Sequence, residues 1–380
     1  MIYPDYEKGS IVNLVNSVLK HYNANTFYPV LDDFEIQEHK KLVLIIIDGL
    51  GMKFLEEHGK KSYLYSHVKR SLTSVFPSTT ASALTTLMTG LSPLQHAMTG
   101  WNMYFRELGT VALPLPFKPR FCSESFANLK VNIQDILNFE TAIQTENHNL
   151  MIVSPQPYIN SAFSNYCYGN QHKKGYNNIN DFFDIIKNNI FNNKETSIIY
   201  SYMADFDETA HDFGINSAES IKLFEQIDQE FANLIEKTQN TDTLFIVTAD
   251  HGLIDTAPEK ILFLKDFPDI EDCLILPLCG EPRVPYCYVR PAKLDKFVKA
   301  VNEQLGDFCY RYSQKEIINM KLYGTGEINP KFYDRIGDQI LIMKDNYVLF
   351  DKIYGEKKPE IIGFHGGLSK DEMIVPLITN

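Results

Sequence analysis

Asp48, Asp250 and His251 stand where apolar runs of the chain stop. Leu42 to Ile47 is six apolar residues, rich in Ile and Val, and it ends on Asp48, Gly49, Leu50 and Gly51. Such a run fits a strand buried on both faces, as in the middle of a parallel sheet. An acid directly after it sits at the carboxyl edge, where open α/β sheets place their ligands, and Gly49 and Gly51 allow a sharp turn there. Thr243 to Thr248 repeats the pattern and ends on Ala249, Asp250, His251 and Gly252. A third run, Ser197 to Tyr202, leads into MADFDETAHDFG. Within it Asp207 and His211 are four residues apart and share one side of a helical turn, a spacing that suits two ligands of one metal ion. His365, in GFHGG, precedes a last apolar run from Met373 to Ile378.

Singly, each of these has a plain structural explanation: Asp48 could cap a helix over Met52 to Glu57, and one Asp-His pair is more often structural than not. Together they are harder to dismiss, because a parallel sheet would bring them all to one edge. Three carboxylates and three imidazoles suit a pair of zinc or manganese ions better than calcium or magnesium, which prefer shells of oxygen. Two such ions about 3.5–4 Å apart can clamp the attacking and leaving oxygens of an in-line displacement at phosphorus. That chemistry still needs a nucleophile. The stretch Val75 to Gly90, VFPSTTASALTTLMTG, puts Ser78, Thr79 and Thr80 at the expected start of a helix carrying Leu84, Leu87 and Met88 on one side. Ser and Thr are preferred helix caps and as such need no chemistry. A hydroxyl at a helix N-terminus also lies where free N–H groups attract an anion, and a neighbouring cation would lower its pKa.

The elements that must position these groups can be read in outline. The spacing of Ile11, Leu14, Val15, Val18 and Leu19 predicts an amphipathic helix over Ile11 to Tyr22. Gly90 to Arg120, rich in Gly, Pro and aromatics, reads as a long irregular excursion of the kind that is usually functional. A strand is expected at Leu150 to Val153 and a helix over Asp181 to Ile190. The helix from about Ser217 to Lys237 turns Phe224, Ile227, Phe231 and Leu234 to the core. From Pro258 to Glu360 the character changes, with short strands at Tyr286 to Arg290, Gln339 to Met343 and Tyr347 to Phe350 and a helix near Leu294 to Leu305. The expected architecture is α/β: a mostly parallel sheet flanked by helices over residues 1–257 and 361–380, with 258–360 inserted as a smaller α+β cap.

Composition narrows the function. A chain of 380 residues, 44% hydrophobic, can bury a large core. Its net charge of −12 argues against a nucleic-acid polymer as partner, since such binding rests on Lys and Arg; phosphates would be met locally by metal ions. The cysteines, at 122, 167, 273, 279, 287 and 309, form no CxxC pair, which argues against a zinc ribbon and gives no disulfide framework. No stretch reaches about 18 apolar residues and no apolar leader follows Met1, so the expectation is a soluble cytoplasmic protein without a membrane partner.

Taken as a set, the motifs resemble the alkaline phosphatase superfamily and, within it, the nucleotide pyrophosphatase/phosphodiesterase family. The matching pieces are IIIDGLG at Asp48, FPSTTASALTTLMTG, Asp205-Phe206-Asp207 with His211 and Gly214, TADHG at Asp250, and FHGG at His365. They follow the family's order from Lys41 to the C-terminus. The resemblance implies a two-metal phosphoester hydrolase acting on a small phosphoester or nucleotide. Asp48, Asp250, His251 and the nucleophile would hold one metal, and Asp207, His211 and His365 the other. The family places the nucleophile three residues after the Pro of FP and ten before the Gly of TG, which is Thr80; Thr79 and Ser78 are neighbours that a shifted turn could present. Asn102 is the implied ligand of a phosphate oxygen, although counted from His96 it falls one residue late, with Trp101 in the family's place. Ala81 replaces the aromatic residue that often follows the nucleophile. Trp101, Tyr104 and Phe105, with the cap, would choose the alcohol or base, ordinary core packing being the plain alternative for these aromatics.

Two other readings stay open. The same metal pair serves phosphomonoesterases, phosphonate hydrolases and phosphomutases. A monoester carries one more charge and usually needs an extra cation, for which Arg106, Arg120, Arg283 and Arg335 are available. The alternative of another class is a metal-stabilised binding protein without turnover, against which stands the completeness of the ligand set.

Overall fold

A computed structural model of the protein describes residues 1–37, 39–141, 149–193, 197–356 and 360–380. Its centre is a seven-stranded sheet in the order Val68–Thr73, Ile374–Thr379, Thr243–Thr248, Lys41–Ile47, Ile198–Met203, Leu150–Pro155, His172–Tyr176. All strands run in one direction except Ile374–Thr379, which is antiparallel to both of its neighbours. The apolar run at Leu42 to Ile47 is the central strand and is fully buried, as expected of a strand covered on both faces.

Register is what matters for the site. Ile47 pairs with Met203 on one side, and Ile46 with Thr248 on the other. The three strands therefore stop within one residue of one another, and whatever follows Ile47, Met203 and Thr248 emerges at one edge. Helices cover the sheet. Ala218–Thr238 buries Phe224, Ile227, Phe231 and Leu234 at helical spacing, and Ile11–His21 buries Ile11, Leu14 and Val15. Two buried asparagines of that second helix are satisfied by backbone: Asn13 donates to Tyr6 and Pro29, and Asn16 to Val12 and Gly90. No described helix is long and apolar enough to cross a membrane.

The excursion after Gly90 is more ordered than its composition suggests. It folds into a three-stranded antiparallel sheet of Met103–Phe105, Thr110–Leu113 and Lys118–Pro119, whose strands are too short to show a period in sequence. The inserted segment carries a four-stranded antiparallel sheet in the order Cys279–Glu281, Val284–Cys287, Gln339–Met343, Cys309–Ser313. It has an apolar centre of its own, with Ile270, Phe297, Leu305 and Leu341. A second cluster joins it to the core, packing Phe76, Leu94 and Val111 with Tyr286, Phe332 and Ile340. Residues 357–359, at the far end of the expected cap, lie outside the described residues.

Among the described residues, the most deeply buried of the ion pairs between the inserted segment and the rest of the chain is Arg283–Glu372. Arg283 donates to both oxygens of Glu372, at 3.1 Å and 3.0 Å, with side-chain exposures of 1% and 0%. Removing one partner of such a pair strands a buried charge, which costs about 3–5 kcal/mol, whereas replacing both by apolar groups often costs little. Glu372→Ala is therefore expected to lower unfolding stability by about 3–5 kcal/mol in a urea titration, with Arg283→Met/Glu372→Leu recovering much of the loss. A single substitution costing under about 1 kcal/mol would contradict this account of the junction.

Candidate metal centre

At the edge defined by the strand register, six acids and histidines predicted from sequence come together, and Thr80 lies beside them. Asp48 follows the central strand. The next strand feeds the helix Asp205–Phe213, which carries Asp207 and His211 one turn apart. The third leads to Asp250 and His251, and the turn before the final strand supplies His365. Ligand atoms of Asp48, Asp250 and His251 lie within 4.8 Å of one another, as do those of Asp207, His251 and His365. His251 thus touches both groups: its Nε2 is 3.4 Å from Asp48 Oδ1 and 3.4 Å from Asp250 Oδ2, and its ring stacks on His365 with centroids 3.9 Å apart. His211 Nε2 lies 3.2 Å from Asp207 Oδ2, while its Nδ1 donates to the Gly363 carbonyl at 2.7 Å and fixes the ring.

Close backbone approach makes this convergence possible. A Cβ on Gly252 would stand 2.1 Å from the Asp371 carbonyl and 2.9 Å from Gly51 Cα, so the glycines of the two strand-end motifs pack against each other. Gly49 adopts φ +76° directly after Asp48, a conformation that favours glycine.

The donor set fits cations. Asp48 Oδ1, Asp207 Oδ1 and Asp250 Oδ2 are buried and accept no hydrogen bond. An unsatisfied buried acceptor costs about 1–3 kcal/mol, and more when charged; three such oxygens in one pocket are what divalent ions would satisfy. The electrostatics agree. Burial pushes the Asp48 carboxyl well above its ordinary range, and the charges of Asp250 and Asp207 push it further. Burial also raises Asp250, against the pull of His251. Asp207 goes the other way: burial opposes its charge, but His211, His365 and His251 hold it well below the usual range. His211 is lowered by burial and then raised by Asp207, to about 9. His365 is pressed well below its ordinary value by burial and by the neighbouring His251.

The hydroxyl cluster sits over this pocket. The helix Thr80–Thr89 begins there, with Thr79 at its N-cap. Ser78 Oγ donates to the Gly367 carbonyl at 2.8 Å, and Thr79 Oγ1 donates to Glu281 Oε1 at 2.7 Å. Thr80 Oγ1 instead faces Asp48 Oδ2 at 3.4 Å and His251 Nε2 at 3.2 Å. Ala81 is fully buried and offers no wall to a substrate.

A cavity of about 1130 Å³ opens onto these groups and is lined also by Trp101 and Asn102. Away from the acids and histidines its wall is largely apolar, with Leu84 and Met88 following Thr80 along one helix face and Phe163 opposite. Tyr104 is not part of it. Strand alternation turns Tyr104 away from the buried Met103 and Phe105, and its ring packs on Tyr288 of the insertion at 5.3 Å. The expectation that Tyr104 meets substrate is corrected accordingly; Phe105, fully buried, lies in the core and not in the cavity wall. His96 is likewise structural, buried between the Thr86 hydroxyl and the Met98 amide, with burial lowering its pKa to about 3.

Two residues of the site went unread in the sequence. Tyr202 donates its hydroxyl to Asp48 Oδ2; it is the penultimate residue of a strand buried along its length, where no alternation singles it out. Glu281 is buried at the cavity wall, where burial raises its carboxyl to about 7. It comes from a segment with no motif, and nothing in sequence pointed to it.

The doubly covered, mostly parallel sheet with its acids and histidines at the carboxyl edge is an alkaline-phosphatase-like fold, and solved structures bear this out. Murine ectonucleotide pyrophosphatase/phosphodiesterase 5 superposes with a TM-score of 0.68 at 17% identity, covering 89% of this chain and 87% of that one. An inactive variant of the same murine protein, in complex with AMP, gives 0.67 at 16%, with the same coverage. Phosphonoacetate hydrolase from Sinorhizobium meliloti 1021, in complex with phosphonoformate, gives 0.64 at 16%, covering 92% of each chain. No curated protein sequence matches. Residues 42–368 match the family model of type I phosphodiesterase / nucleotide pyrophosphatase, and the chain belongs to that family of phosphoester and phosphoanhydride hydrolases.

The charge arrangement predicts how the metal-stripped protein responds to pH. A histidine raised to about 9 in the fold stabilises it fully below its unfolded value and loses that contribution as pH rises through the folded one. Asp48, raised by burial, also keeps its proton better when folded, so its ionisation acts in the same direction. Chelator-treated protein is expected to lose up to about 3 kcal/mol between about pH 7 and pH 9.5, with the metal-loaded protein nearly level over that range. Calorimetric melting at both pH values checks this; equal slopes for the two forms would refute it.

Proposed function

We propose that this chain is a metal-dependent phosphodiesterase with Thr80 as nucleophile. The observation that carries the reading is the division of the three hydroxyls: Ser78 and Thr79 donate elsewhere, and Thr80 alone faces both Asp48 and His251. Asp48, Asp250 and His251 would hold one divalent cation and Asp207, His211 and His365 a second, with zinc or manganese suiting the mixed oxygen and nitrogen donors. When bound, such cations act as Lewis acids on phosphate oxygens and lower the pKa of a nearby hydroxyl.

In this scheme Thr80 Oγ1 forms a bond to phosphorus while the ester bond to the leaving alcohol breaks, and overall the hydroxyl proton departs with that alcohol. Water then cleaves the phosphothreonine ester, releasing the phosphate product and restoring the hydroxyl. The free N–H groups at the start of the Thr80 helix and the Asn102 side chain would take a non-bridging oxygen. Trp101, with 40% of its surface exposed beside the cavity, offers a ring to the substrate's organic part. A nucleotide is the class suggested by the AMP complex of the murine relative.

A diester is favoured over a dianionic monoester or phosphonate by the fate of the arginines. Arg283 and Arg335 are buried in structural contacts, and Arg106 pairs with Asp334 away from the cavity. Arg120 lines the cavity but is already held by Asp351 and Glu356. Among the described lining residues the other permanent cation is Lys352, which is solvent-exposed. An extra negative charge would thus find little to meet it beyond the metals.

Two measurements test the reading on metal-loaded protein. Hydrolysis of a bis-aryl phosphate should exceed that of the matching mono-aryl phosphate by about 10-fold or more in kcat/KM, and the reverse order would transfer the enzyme to the monoesterases. Thr80→Ala should lower kcat by at least about 10³-fold with metal content and melting temperature unchanged. Retained turnover in that variant would remove Thr80 as nucleophile.

A further inference from the structure

Glu281 belongs to the inserted segment, yet its carboxylate reaches the reaction centre of the core. It ends the short strand Cys279–Glu281, which is tied to the excursion by a reciprocal backbone pair: Asn102 N donates to Gly280 O at 3.1 Å, and Gly280 N to Asn102 O at 2.6 Å. The side chain is 5% exposed. Its Oε1 accepts two hydrogen bonds, from Thr79 Oγ1 at 2.7 Å and from the Trp101 amide at 2.6 Å. A third piece of chain closes over it: a Cβ on Gly366, which has φ +114°, would stand 2.8 Å from Glu281 Cβ and Cγ. One side chain therefore touches the residue before Thr80, the residue before Asn102 and the residue after His365.

No lysine or arginine pairs with Glu281 among the described residues. A buried carboxylate is costly unless its hydrogen bonds and charge are matched; here two neutral donors and the nearby charge of His211 do the matching. What the carboxylate does locally is specific. By accepting from Thr79 it draws the N-cap hydroxyl away from the helix amides that such a group usually caps, which leaves those amides free at the mouth of the helix. By accepting from Trp101 it fixes the arm that presents Asn102.

We propose that Glu281 is a positioning residue for phosphoryl transfer, aligning the nucleophile's turn and the phosphate-facing arm through its two hydrogen bonds. The inference rests on the assignment of Thr80 as nucleophile. Misplacing a reacting group by about 1 Å costs on the order of 10²-fold in rate, so loss of this alignment should appear in kcat rather than in KM.

The test uses the metal-loaded full chain with a bis-aryl phosphate. Glu281→Ala removes both acceptors and should lower kcat by about 30–100-fold with KM changed by less than about 3-fold. Glu281→Gln keeps an oxygen acceptor for both donors and should return kcat to within about 5-fold of the parent. Thr79→Val removes one of the two bonds without touching Glu281 and should slow kcat at an unchanged melting temperature, so it carries the test should Glu281→Ala fail to fold. The double variant Glu281→Ala/Thr79→Val should be no slower than Glu281→Ala, because both changes break the same contact. Parental kcat in Glu281→Ala or in Thr79→Val would overturn the proposal, as would a Gln variant as slow as the Ala variant. Thr80→Ala, run alongside, separates the two claims: if it is inactive while Glu281→Ala is fully active, the nucleophile stands and the positioning role falls.

Discussion

Three carboxylates of like charge, Asp48, Asp207 and Asp250, are forced together out of water, and much of the surrounding structure exists to tolerate that. Left alone, they repel one another and lose hydration, and the upward push on Asp48 and Asp250 records that cost. Local partners offset part of it. Tyr202 donates to Asp48, and the Gly49 and His251 amides donate to Asp250 at 3.1 and 2.9 Å. Three histidines supply the rest, yet one oxygen of each acid still has no donor. Tightly packed interiors do not keep such oxygens idle without a use. Gathering them is a cost that only a cation can turn into an advantage, and the same cation field is what phosphoryl chemistry requires.

The sheet delivers these acids by register. Because Ile47, Met203 and Thr248 end within one residue of one another, a single topological fact brings three strand ends to one edge. That is also why this part of the site could be read from sequence. An apolar run that stops on an acid is a local signal, and it survives without knowledge of the neighbours. Helix Ala218–Thr238 was legible for the same reason, its core residues repeating every three or four positions. The edge strands were not. Val68–Thr73 reads VKRSLT and His172–Tyr176 reads HKKGY, and neither shows an apolar run because their outer sides face solvent. The last strand was visible as a strand, but its antiparallel direction depends on how the chain returns from the insertion, which no local pattern encodes.

What escaped sequence reading shares one physical cause. Glu281 and Thr79 are 202 residues apart, and a contact of that kind leaves no periodicity, spacing or turn chemistry behind it. Tyr104 failed in the opposite way. Aromatic residues in a loop-like stretch suggested a substrate wall, but a three-residue strand decided which side faced the cavity, and Tyr104 went to Tyr288. Trp101, before that strand, kept its place in the cavity wall. Residue type was informative in both cases, and orientation was not available.

A short hydrogen-bond network shows where residues 258–356 meet the rest of the chain. Arg283 of the insertion binds Glu372; Glu372 Oε1 also accepts from Gly367 N at 2.7 Å; the Gly367 carbonyl accepts from Ser78 Oγ at 2.8 Å. Gly367 is two residues from His365, and Ser78 two residues before Thr80. The ion pair of Arg283 and Glu372 is therefore continuous, through hydrogen bonds, with the turn of His365 and with the turn of Thr80, the residues proposed as metal ligand and nucleophile. Glu281 makes a separate crossing from the same segment to Thr79. An insertion that only covered the cavity would need neither connection, since apolar packing of Tyr286, Phe332 and Ile340 on Phe76 and Leu94 already holds it in place. Buried charges at both crossings are poor value for stability alone. Their geometry makes sense if the inserted segment sets the alignment of Thr80 as well as access to it, so that chemistry housed in the core depends on contacts supplied from outside it.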